Sequence, residues 1–225
     1  MITCAIPTMW LADEITASCD ALAVIPIVTE VLVINNDESR RFLDLTRYGP
    51  ETDKGTCDYG ERPYAVKTYG KFTLLTPPSN VYVGESWNVG VVAANNPLVC
   101  LLNDDVVLRS DTFEYIAANF PADASLIGAG GACDHLNLSE VGSRCYGFGV
   151  AMFLRKDKYI AIPNSIRIWY TDDFLFENMP GAKYHLAGCI ERFRMSTTVH
   201  SGIVNSDILV QDRLGYLVSK RATPS

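Results

Sequence analysis

The feature that most constrains the fold is a repeated arrangement in the first half of the chain, where short apolar runs end at polar residues. The runs are residues 2–6 (ITCAI), 30–34 (EVLVI) and 97–102 (PLVCLL). The polar residues that end them are Pro7-Thr8, Asn35-Asn36-Asp37 and Asn103-Asp104-Asp105. Short apolar runs with such ends are typical of buried strands, and segments of helical period separate them. This β-α-β order predicts an α/β domain built on an open, mostly parallel sheet.

Three helices are predicted from apolar residues at helical spacing. Their stripes are Leu11-Ile15-Cys19-Leu22, Trp87-Val91-Ala94 and Phe113-Ile116-Phe120. Asp13 and Glu14 lie in the predicted first turn of the first helix, where the helix dipole favours negative charge. Asp111 and Glu114 have the spacing of a capping box at the start of the third.

The remaining segments follow a less regular pattern. Residues 47–72 are rich in Gly, Tyr and charge without a clear period, which predicts a surface excursion with or without short strands. Further strands or strand ends are predicted at 72–76, 125–131, 146–154, 182–188 and 197–202, with a polar loop at 132–145 and a short helix at 171–181. We therefore expect one domain over residues 1–225, with a nucleotide-type front half, 1–108, and a more variable back half, 109–225.

Composition narrows the range of partners. The 225 residues carry a net charge of −7, which repels nucleic acid and anionic lipid unless a local basic patch is present. The seven cysteines include no CxxC pair, and an odd number of cysteines suits free thiols in a reducing compartment. No window reaches the roughly 18 apolar residues of a membrane span. We expect a soluble cytoplasmic protein without a membrane anchor, in the host cytoplasm if the chain is viral.

The polar residues at the strand ends are the candidate site. In open α/β sheets, ligands bind at the carboxyl ends of the parallel strands. Pro7-Thr8 and Asn36-Asp37 suit hydrogen bonds to a base and a ribose, whereas Asn103-Asp104-Asp105 suits a divalent cation that carries a diphosphate. The alternative for the last group is a turn, since Asn and Asp favour turns, with Asp104 pointing to solvent or capping the loop.

Six segments, in order, resemble family 2-type glycosyltransferases with the GT-A fold. They are residues 4–22, 30–37, 85–106, 145–155, 169–177 and 197–202. The resemblance implies a Rossmann-like, mostly parallel sheet flanked by helices, with a small mixed or antiparallel extension in the second half. It also implies that 1–108 binds the nucleotide-sugar and that 109–225 binds the acceptor and carries the catalytic residues. Residues 47–72 have no counterpart in that family.

The same resemblance implies the donor and metal sites. The donor-binding set is Pro7, Thr8, Asn36, Asp37, Asn88, Asn103 and Asp104. Asn103 stands at the first acid of the DxD motif, which leaves Asp105 as the main ligand of Mn²⁺ or Mg²⁺, and His200 corresponds to a late histidine that completes the metal site. By family likeness, the default donor is a uridine-diphosphate sugar carrying a hexosyl or pentosyl group.

The implied reaction is an inverting transfer to an acceptor hydroxyl. Asp173 matches the catalytic base by position, and Asp172 remains an alternative because the pair is Asp-Asp where Glu-Asp is commoner. The structural alternative is helix N-capping by Thr171 or Asp172. Trp169 and Tyr170 either stack on a sugar or belong to the core. Arg192 and Arg194 either meet the diphosphate or form a solvated strand face, and His135 and His185 are taken as structural.

Two other classes and the acceptor stay open at this point. A non-catalytic nucleotide-sugar-binding module would keep the fold, and a metal-dependent nucleotidyltransferase would need a Gly-rich, basic loop where this chain has PTMWLADE. The acceptor is a glycan or another hydroxyl compound. Stand-alone transferases carried by viruses of bacteria are also similar, and some of them glycosylate hydroxymethylated DNA bases. For that acceptor, the candidate basic patch is Lys54, Arg62, Lys67 and Lys71.

Overall fold

A computed structural model describes residues 1–40, 43–60, 62–145, 147–194 and 206–222. The strands are β1 (Ile2–Thr8), β2 (Val28–Asn35), β3 (Glu51–Tyr59), β4 (Arg62–Tyr69), β5 (Phe72–Thr76), β6 (Leu98–Leu102), β7 (Val106–Leu108), β8 (Ala124–Gly130), β9 (Asn137–Glu140), β10 (Ala151–Arg155), β11 (Ala182–Ala187) and β12 (Ile190–Phe193). The helices are α1 (Glu14–Val24), α2 (Tyr82–Ala93), α3 (Asp111–Asn119), α4 (Thr171–Asn178) and α5 (Ser206–Ala222).

Most strands join one mixed sheet in the order β3-β4-β5-β2-β1-β6-β10-β8-β11-β9. Within it, β5, β2, β1 and β6 are parallel neighbours, whereas β10 runs antiparallel to β6 and β8. The chain leaves β1 toward β2 on one side and later returns to place β6 on the other side of β1. The carboxyl ends of β1 and β6 therefore form the topological switch point, where open sheets bind ligands.

Helices cover both faces of this sheet, which explains why most residues of the central strands are apolar. Residues Ile15 and Phe113, of α1 and α3, belong to one hydrophobic cluster. Residues Trp87, Leu175 and Tyr216, of α2, α4 and α5, belong to the other. Strands covered on both faces bury every side chain, so β1 is buried along its whole length.

The predicted α/β class with a mostly parallel centre and a mixed second half is confirmed, and the predicted first strands and helices lie where expected. Residues 51–69 differ from the expected surface excursion, because they form the long antiparallel hairpin β3–β4 at the edge of the main sheet. Almost every residue of β3 is exposed. A strand that is exposed on both faces has no alternation of apolar and polar residues, so its sequence shows no period.

The second half contains further differences. Gly147 has φ 80° and is followed by a 3-10 turn, so the strand predicted over 146–154 begins only at Ala151. The predicted polar loop contains the edge strand β9, and the sequence did not indicate α5. The capping box predicted at α3 is not formed, since Ser110 is the N-cap residue without a side-chain bond and Asp111 instead pairs with Arg109 at 2.7 Å. The strand predicted at 197–202 lies outside the described residues.

A small second sheet continues the chain beyond β6. Strand β7 follows directly after Asp105 and pairs antiparallel with β12. The backbone N–H of Arg194 then donates to the carbonyl of Asp105 at 3.1 Å. Within the part of the chain that the structure describes, no helix combines the length and apolar character that crossing a membrane requires.

Candidate active site

A cavity of about 490 Å³ opens at the carboxyl ends of β1 and β6. Its polar lining comes from three strand ends, two loops and the start of α4. These polar residues are Thr8, Asn36, Asn80, Asn103, Asp104, Asp105, Arg144, Thr171, Asp172 and Asp173. Aromatic and apolar side chains complete the wall, among them Tyr82, Trp87, Trp169, Tyr170, Phe193 and Leu209. Its volume is in the usual range for a small-molecule site.

The wall at the strand ends is fixed by a hydrogen bond between β1 and the turn after β6. The Thr8 hydroxyl donates to Oδ2 of Asp104 at 2.7 Å, and the same hydroxyl accepts the backbone N–H of Trp10 at 2.8 Å. Asp104 is 5% exposed, so it neither points to solvent nor simply caps the loop. A carboxylate buried to this extent needs polar partners, and the first strand supplies one of them.

Asn103 and Asp105 flank that carboxylate. The backbone N–H of Asn103 donates to the carbonyl of Val150 at 3.0 Å, which ties the turn to the segment before β10. Asp105 is 7% exposed and also lines the cavity. Two buried carboxylates and one amide therefore lie together at the end of β6, in a cavity large enough for a ligand.

The end of β2 contributes Asn36. Its side-chain amide donates to Oγ of Ser86 at 3.0 Å, and its carbonyl oxygen accepts the backbone N–H of Val81 at 3.1 Å. The neighbouring Asn35 accepts the indole N–H of Trp10 at 2.6 Å. These bonds connect the end of β2 to the start of α2 and to the turn after β1, and they hold Asn36 at the cavity.

The first turn of α4 contributes Asp172 and Asp173, here called the acid pair, to the cavity. Arg144 bridges them, since Nη1 donates to Asp172 at 2.7 Å and Nε donates to Asp173 at 2.7 Å. Tyr170 occupies the N-cap position and supplies no side-chain capping bond. The acid pair faces the cavity beside the helix N-terminus, where negative charge is favoured.

Burial raises the pKa of Asp172 above its ordinary value, and the guanidinium of Arg144 opposes that rise. The negative charge of Asp173 adds to the increase in the Asp172 pKa, and backbone N–H groups of the first turn reduce it. Burial disfavours the charge on Arg144, but the two carboxylates outweigh it and raise the Arg144 pKa. Arg144 therefore holds the pKa of Asp172 below the value that burial and the Asp173 charge alone would set.

Asp172 packs directly against Gly149. A Cβ atom at position 149 would lie 2.5 Å from Oδ2 of Asp172 and 2.7 Å from its Cγ. Gly149 also lines the cavity. The missing side chain at this position therefore provides the space that Asp172 occupies.

Two indole groups of the lining carry buried N–H donors. The Nε1 atoms of Trp87 and Trp169 have no hydrogen-bond partner among the described residues. Trp87 is 2% exposed, so its indole belongs to the core as well as to the cavity wall. Buried donors of this kind are rare in proteins and suit a ligand that brings hydrogen-bond acceptors.

Most of the site residues predicted from the sequence come together in this cavity. They are Pro7, Thr8, Asn36, Asn103, Asp104, Asp105, Asp172 and Asp173. Asp37 does not line it, and its carboxylate accepts from Ser39 and pairs with Arg40 at 3.0 Å. Asn88 does not line it either, because its amide braces Tyr159 and both backbone groups of Ile162. His200 lies outside the described residues.

The other candidates from the sequence are arranged as follows. Trp169 and Tyr170 line the cavity, whereas Arg192 and Arg194 are exposed and do not. The four basic residues proposed for DNA are largely engaged within the chain. Lys67 pairs with Glu51 at 3.0 Å and Arg62 with Glu85 at 3.3 Å, while the Lys71 ammonium donates to two backbone carbonyls. Such engagement leaves little free positive charge to attract a phosphate backbone.

Sequence reasoning missed several residues of the cavity, above all Arg144 and Gly149. Arg144 lies in the polar loop, 28 residues before Asp172, and nothing in the local sequence marks it as the partner of the acid pair. Asn80 and Tyr82 precede and begin α2, and Leu209 belongs to the helix that was not predicted. A glycine preceding an apolar strand was the one available signal for Gly149.

The donor set at the end of β6 fits a hard divalent cation in type, because Asn103, Asp104 and Asp105 each offer a side-chain oxygen as a ligand. The described residues contain no cluster of three or more His, Cys, Asp and Glu side chains placed to hold a metal ion. Mg²⁺ and Mn²⁺ do not require such a cluster, since one or two carboxylates together with substrate phosphates commonly hold Mg²⁺. The residues present therefore fit a cation that arrives with a phosphorylated ligand.

The central parallel sheet, the acidic turn at the switch point and the antiparallel extension define a GT-A-type fold. No protein-family model matches the sequence, and no characterised protein matches it by sequence. Solved structures do match the fold. The chain spans less than two thirds of the TarS chains it matches, 65% in the best-covered case.

Three of these structures illustrate the likeness. TarS 1–349 of S. aureus in complex with UDP-GlcNAc matches with a TM-score of 0.59 at 15% identity, over 96% of this chain. Glucosyl-3-phosphoglycerate synthase of Mycobacterium tuberculosis, in complex with Mn²⁺, UDP and phosphoglyceric acid, matches with 0.59 at 10% identity, over 100% of this chain and 80% of that one. HddC of Yersinia pseudotuberculosis, complexed with GMP-PN, matches with 0.58 at 10% identity, over 95% of this chain and 99% of that one.

Proposed function

We propose that this chain is a metal-dependent, inverting glycosyltransferase that moves a sugar from a nucleotide-diphosphate donor to an acceptor hydroxyl. One observation carries the proposal, namely that a single cavity at the switch point contains two separate sets of carboxylates. Asp104 and Asp105 lie at the strand ends, and Asp172 and Asp173 lie at the start of α4. The first set suits a cation with a diphosphate, and the second suits proton transfer.

The donor would bind along the strand ends. Asn36 and the turn after β1 would contact the base and ribose, and Asp105, with Asn103 and Asp104, would hold Mn²⁺ or Mg²⁺. When bound, this ion neutralises charge that develops on the leaving diphosphate. The described lining holds four carboxylates and one guanidinium, Arg144, which favours the arrival of a cation. The structural neighbours crystallised with UDP-GlcNAc or with Mn²⁺ and UDP support a uridine-diphosphate sugar as the donor.

Residues of the back half would perform the proton transfer. Asp173 accepts the proton of the acceptor hydroxyl while that oxygen forms a bond to the anomeric carbon, and the bond from that carbon to the diphosphate oxygen breaks on the opposite face. Arg144 engages Oδ1 of Asp173, which leaves the second carboxylate oxygen for the acceptor. Asp172 shares the guanidinium and contributes negative charge beside the base. The aromatic rings of Trp169 and Tyr170 offer faces on which a sugar can stack.

The first experiment is titration calorimetry with uridine diphosphate, with and without Mn²⁺, on the native chain and on Asp105→Ala. Asp111→Ala is the matched control, because Asp111 is an exposed carboxylate outside the cavity that pairs with Arg109. Binding that requires Mn²⁺ and is lost in Asp105→Ala alone would support the donor site. If uridine, guanosine and thymidine diphosphates all fail to bind with either metal, the transferase proposal is wrong.

The same protein samples distinguish a glycosyltransferase from a nucleotide-sugar-binding module and from a nucleotidyltransferase. A transferase releases nucleoside diphosphate from a nucleotide-sugar and passes the sugar to an acceptor, whereas a binding module binds the donor without turnover. A nucleotidyltransferase would instead use a nucleoside triphosphate and release pyrophosphate. The end of β1 and the turn after it read Pro7, Thr8, Met9 and Trp10, without a glycine or a basic residue to hold a triphosphate, so we favour the transferase.

A further inference from the structure

A buried carboxylate on α5, Asp212, lies behind the segment that leads into the acid pair. Its relative exposure is 0%, and its Oδ2 atom accepts the backbone N–H groups of Ile168 at 2.8 Å and Trp169 at 2.9 Å. Its other oxygen lies 3.6 Å from Nε of Arg167. Burying a carboxylate lowers the stability of a protein unless the carboxylate is hydrogen-bonded. An apolar side chain would pack at this position without that penalty.

Several further contacts join α5 to the same segment. The ring of Tyr216 stacks on that of Tyr170, with centroids 5.1 Å apart and an interplanar angle of 16°. Gly215 allows a close approach, because a Cβ there would lie 2.5 Å from the carbonyl oxygen of Ser165. Lys220 pairs with Glu177 of α4 at 2.8 Å, and Leu209 reaches the cavity wall. The helix thus braces residues 165–170.

The braced segment has an unusual backbone. Tyr170 has φ 66°, in the left-handed region that non-glycine residues seldom adopt, and its carbonyl accepts the first backbone hydrogen bond of α4 from Phe174 at 2.9 Å. Backbone strain of this kind persists where the surrounding structure holds it in place. Fixing the two N–H groups immediately before Tyr170 orients the turn from which α4 begins. The first turn of α4 carries the acid pair, two residues further on.

We propose that Asp212 is a positioning residue for the transfer reaction. By holding the N–H groups of Ile168 and Trp169, it sets the direction of α4 and the place of the Trp169 side chain in the cavity. Asp212 itself does not line the cavity. Its side chain contacts Arg167 and the backbone N–H groups of Ile168 and Trp169, so it acts through this segment. The inference rests on the proposed function, because the position of the acid pair matters for turnover only if that pair carries out the proton transfer.

The test compares Asp212→Ala and Asp212→Asn with the native chain. Asp207→Asn serves as the matched control, since it makes the same chemical change on the same helix at an exposed position. Three quantities are measured for each, namely uridine diphosphate binding with Mn²⁺, the rate of diphosphate release from UDP-sugars, and amide hydrogen exchange in the 165–171 peptide. The native chain must bind and turn over, which tests the proposed function separately.

For Asp212→Ala we expect a loss of about 10²-fold in kcat, because a small misplacement of a catalytic group has an effect of this size. The dissociation constant for uridine diphosphate should stay within about twofold, since the donor wall does not depend on α5. Exchange of the 165–171 amides should rise while that of the β1 and β6 amides stays unchanged. Asp212→Asn should recover part of the rate, because its amide oxygen still accepts a hydrogen bond.

Four results would overturn the inference. One is a native-like kcat in Asp212→Ala. Another is an equal loss of donor binding and turnover in both variants of Asp212, which would mean a general structural role. If the folded Asp212→Asn protein shows neither faster exchange at 165–171 nor any change in kcat, Asp212 does not position this segment, even where Asp212→Ala fails to fold. If the native chain binds donor but never turns over, there is no transfer reaction for Asp212 to support, and both proposals are wrong.

Discussion

The Thr8 hydroxyl, at the end of β1, donates a 2.7 Å hydrogen bond to the carboxylate of Asp104, in the turn after β6. The two residues are 96 positions apart in the sequence and meet because β1 and β6 are parallel neighbours. This bond anchors the acidic turn to the first strand on the inside of the cavity. The direction of the Asp104 side chain is therefore set by the sheet rather than by the turn alone.

Thr8→Val should destabilise the protein by about 1–3 kcal/mol, since a buried carboxylate loses a donor and the Trp10 N–H loses an acceptor while the shape is kept. Urea denaturation measures the change. Thr8→Ser is the control, because it keeps the hydroxyl and loses only a methyl group, with an expected effect of about 1 kcal/mol or less. Equal stability of the Val and Ser variants would show that the bond to Asp104 contributes nothing.

Asp173→Asn should lower kcat for sugar transfer by about 10²–10⁴-fold, the usual contribution of a general base. Binding of uridine diphosphate should be unchanged, because the proposed donor contacts come from the strand ends and not from α4. Glu177→Gln, an exposed position on the same helix, controls for the loss of a charge. If Asp172→Asn proves more damaging than Asp173→Asn, the base is Asp172 and the assignment within the pair must be reversed.

Arg144→Gln should shift the acidic limb of the kcat/KM profile to higher pH. Burial and the charge of Asp173 raise the pKa of Asp172, and Arg144 is the guanidinium that lowers it. Without that cation the pKa of Asp172 rises further, so the fully ionised form of the acid pair is lost at a higher pH as the pH falls. The pH–rate profiles of the native and variant chains measure the shift.

The same substitution changes how stability depends on pH. A carboxyl whose pKa is raised in the folded state contributes stability that is fully present below its unfolded pKa and lost as the pH rises through its folded pKa. Urea denaturation of Arg144→Gln should therefore show a steeper loss of stability above the ordinary Asp pKa than the native chain does. Arg109→Gln, which also removes an arginine paired with an aspartate, should leave both profiles unchanged.

Gly149→Ala should displace Asp172, because the new Cβ would lie 2.5–2.7 Å from three atoms of that side chain. Relieving the overlap should cost about 1–3 kcal/mol of stability, and kcat should fall while donor binding stays intact. Chemical denaturation measures the stability, calorimetry measures donor binding, and the rate of diphosphate release gives kcat. Gly142→Ala is the control, since a Cβ there would meet nothing within 4 Å. Identical behaviour of the two variants would show that Asp172 has room to move.

The centre of the fold could be predicted because its residues carry a strong local signal. Strands β1 and β6 are apolar along their length, since both of their faces are covered, and each ends at polar residues. The carboxyl ends of parallel neighbours must lie at one edge of the sheet. Thr8, Asn103 and Asp105 can therefore be assigned to one site from their places in the chain alone.

Other elements gave no such signal, for two different reasons. Strand β3 is exposed on both faces, so its residues carry no period. Helix α5 has a misleading pattern of apolar residues, because Leu214 and Val218 are exposed while Asp212 and Tyr216 are buried. A helix whose buried face contains a carboxylate and whose outer face is apolar contradicts the pattern by which helices are recognised.

The sequence by itself determined the α/β class, the place of the acidic turn and the acid pair at the start of a helix, since each depends on neighbours within a few residues. Tertiary structure alone decided which groups surround them. Arg144 reaches the acid pair from a loop, Gly149 makes room for Asp172, and Asp212 holds the preceding backbone from a helix at the other end of the chain. Contacts between such distant positions depend on how elements pack, and local composition carries no record of that packing.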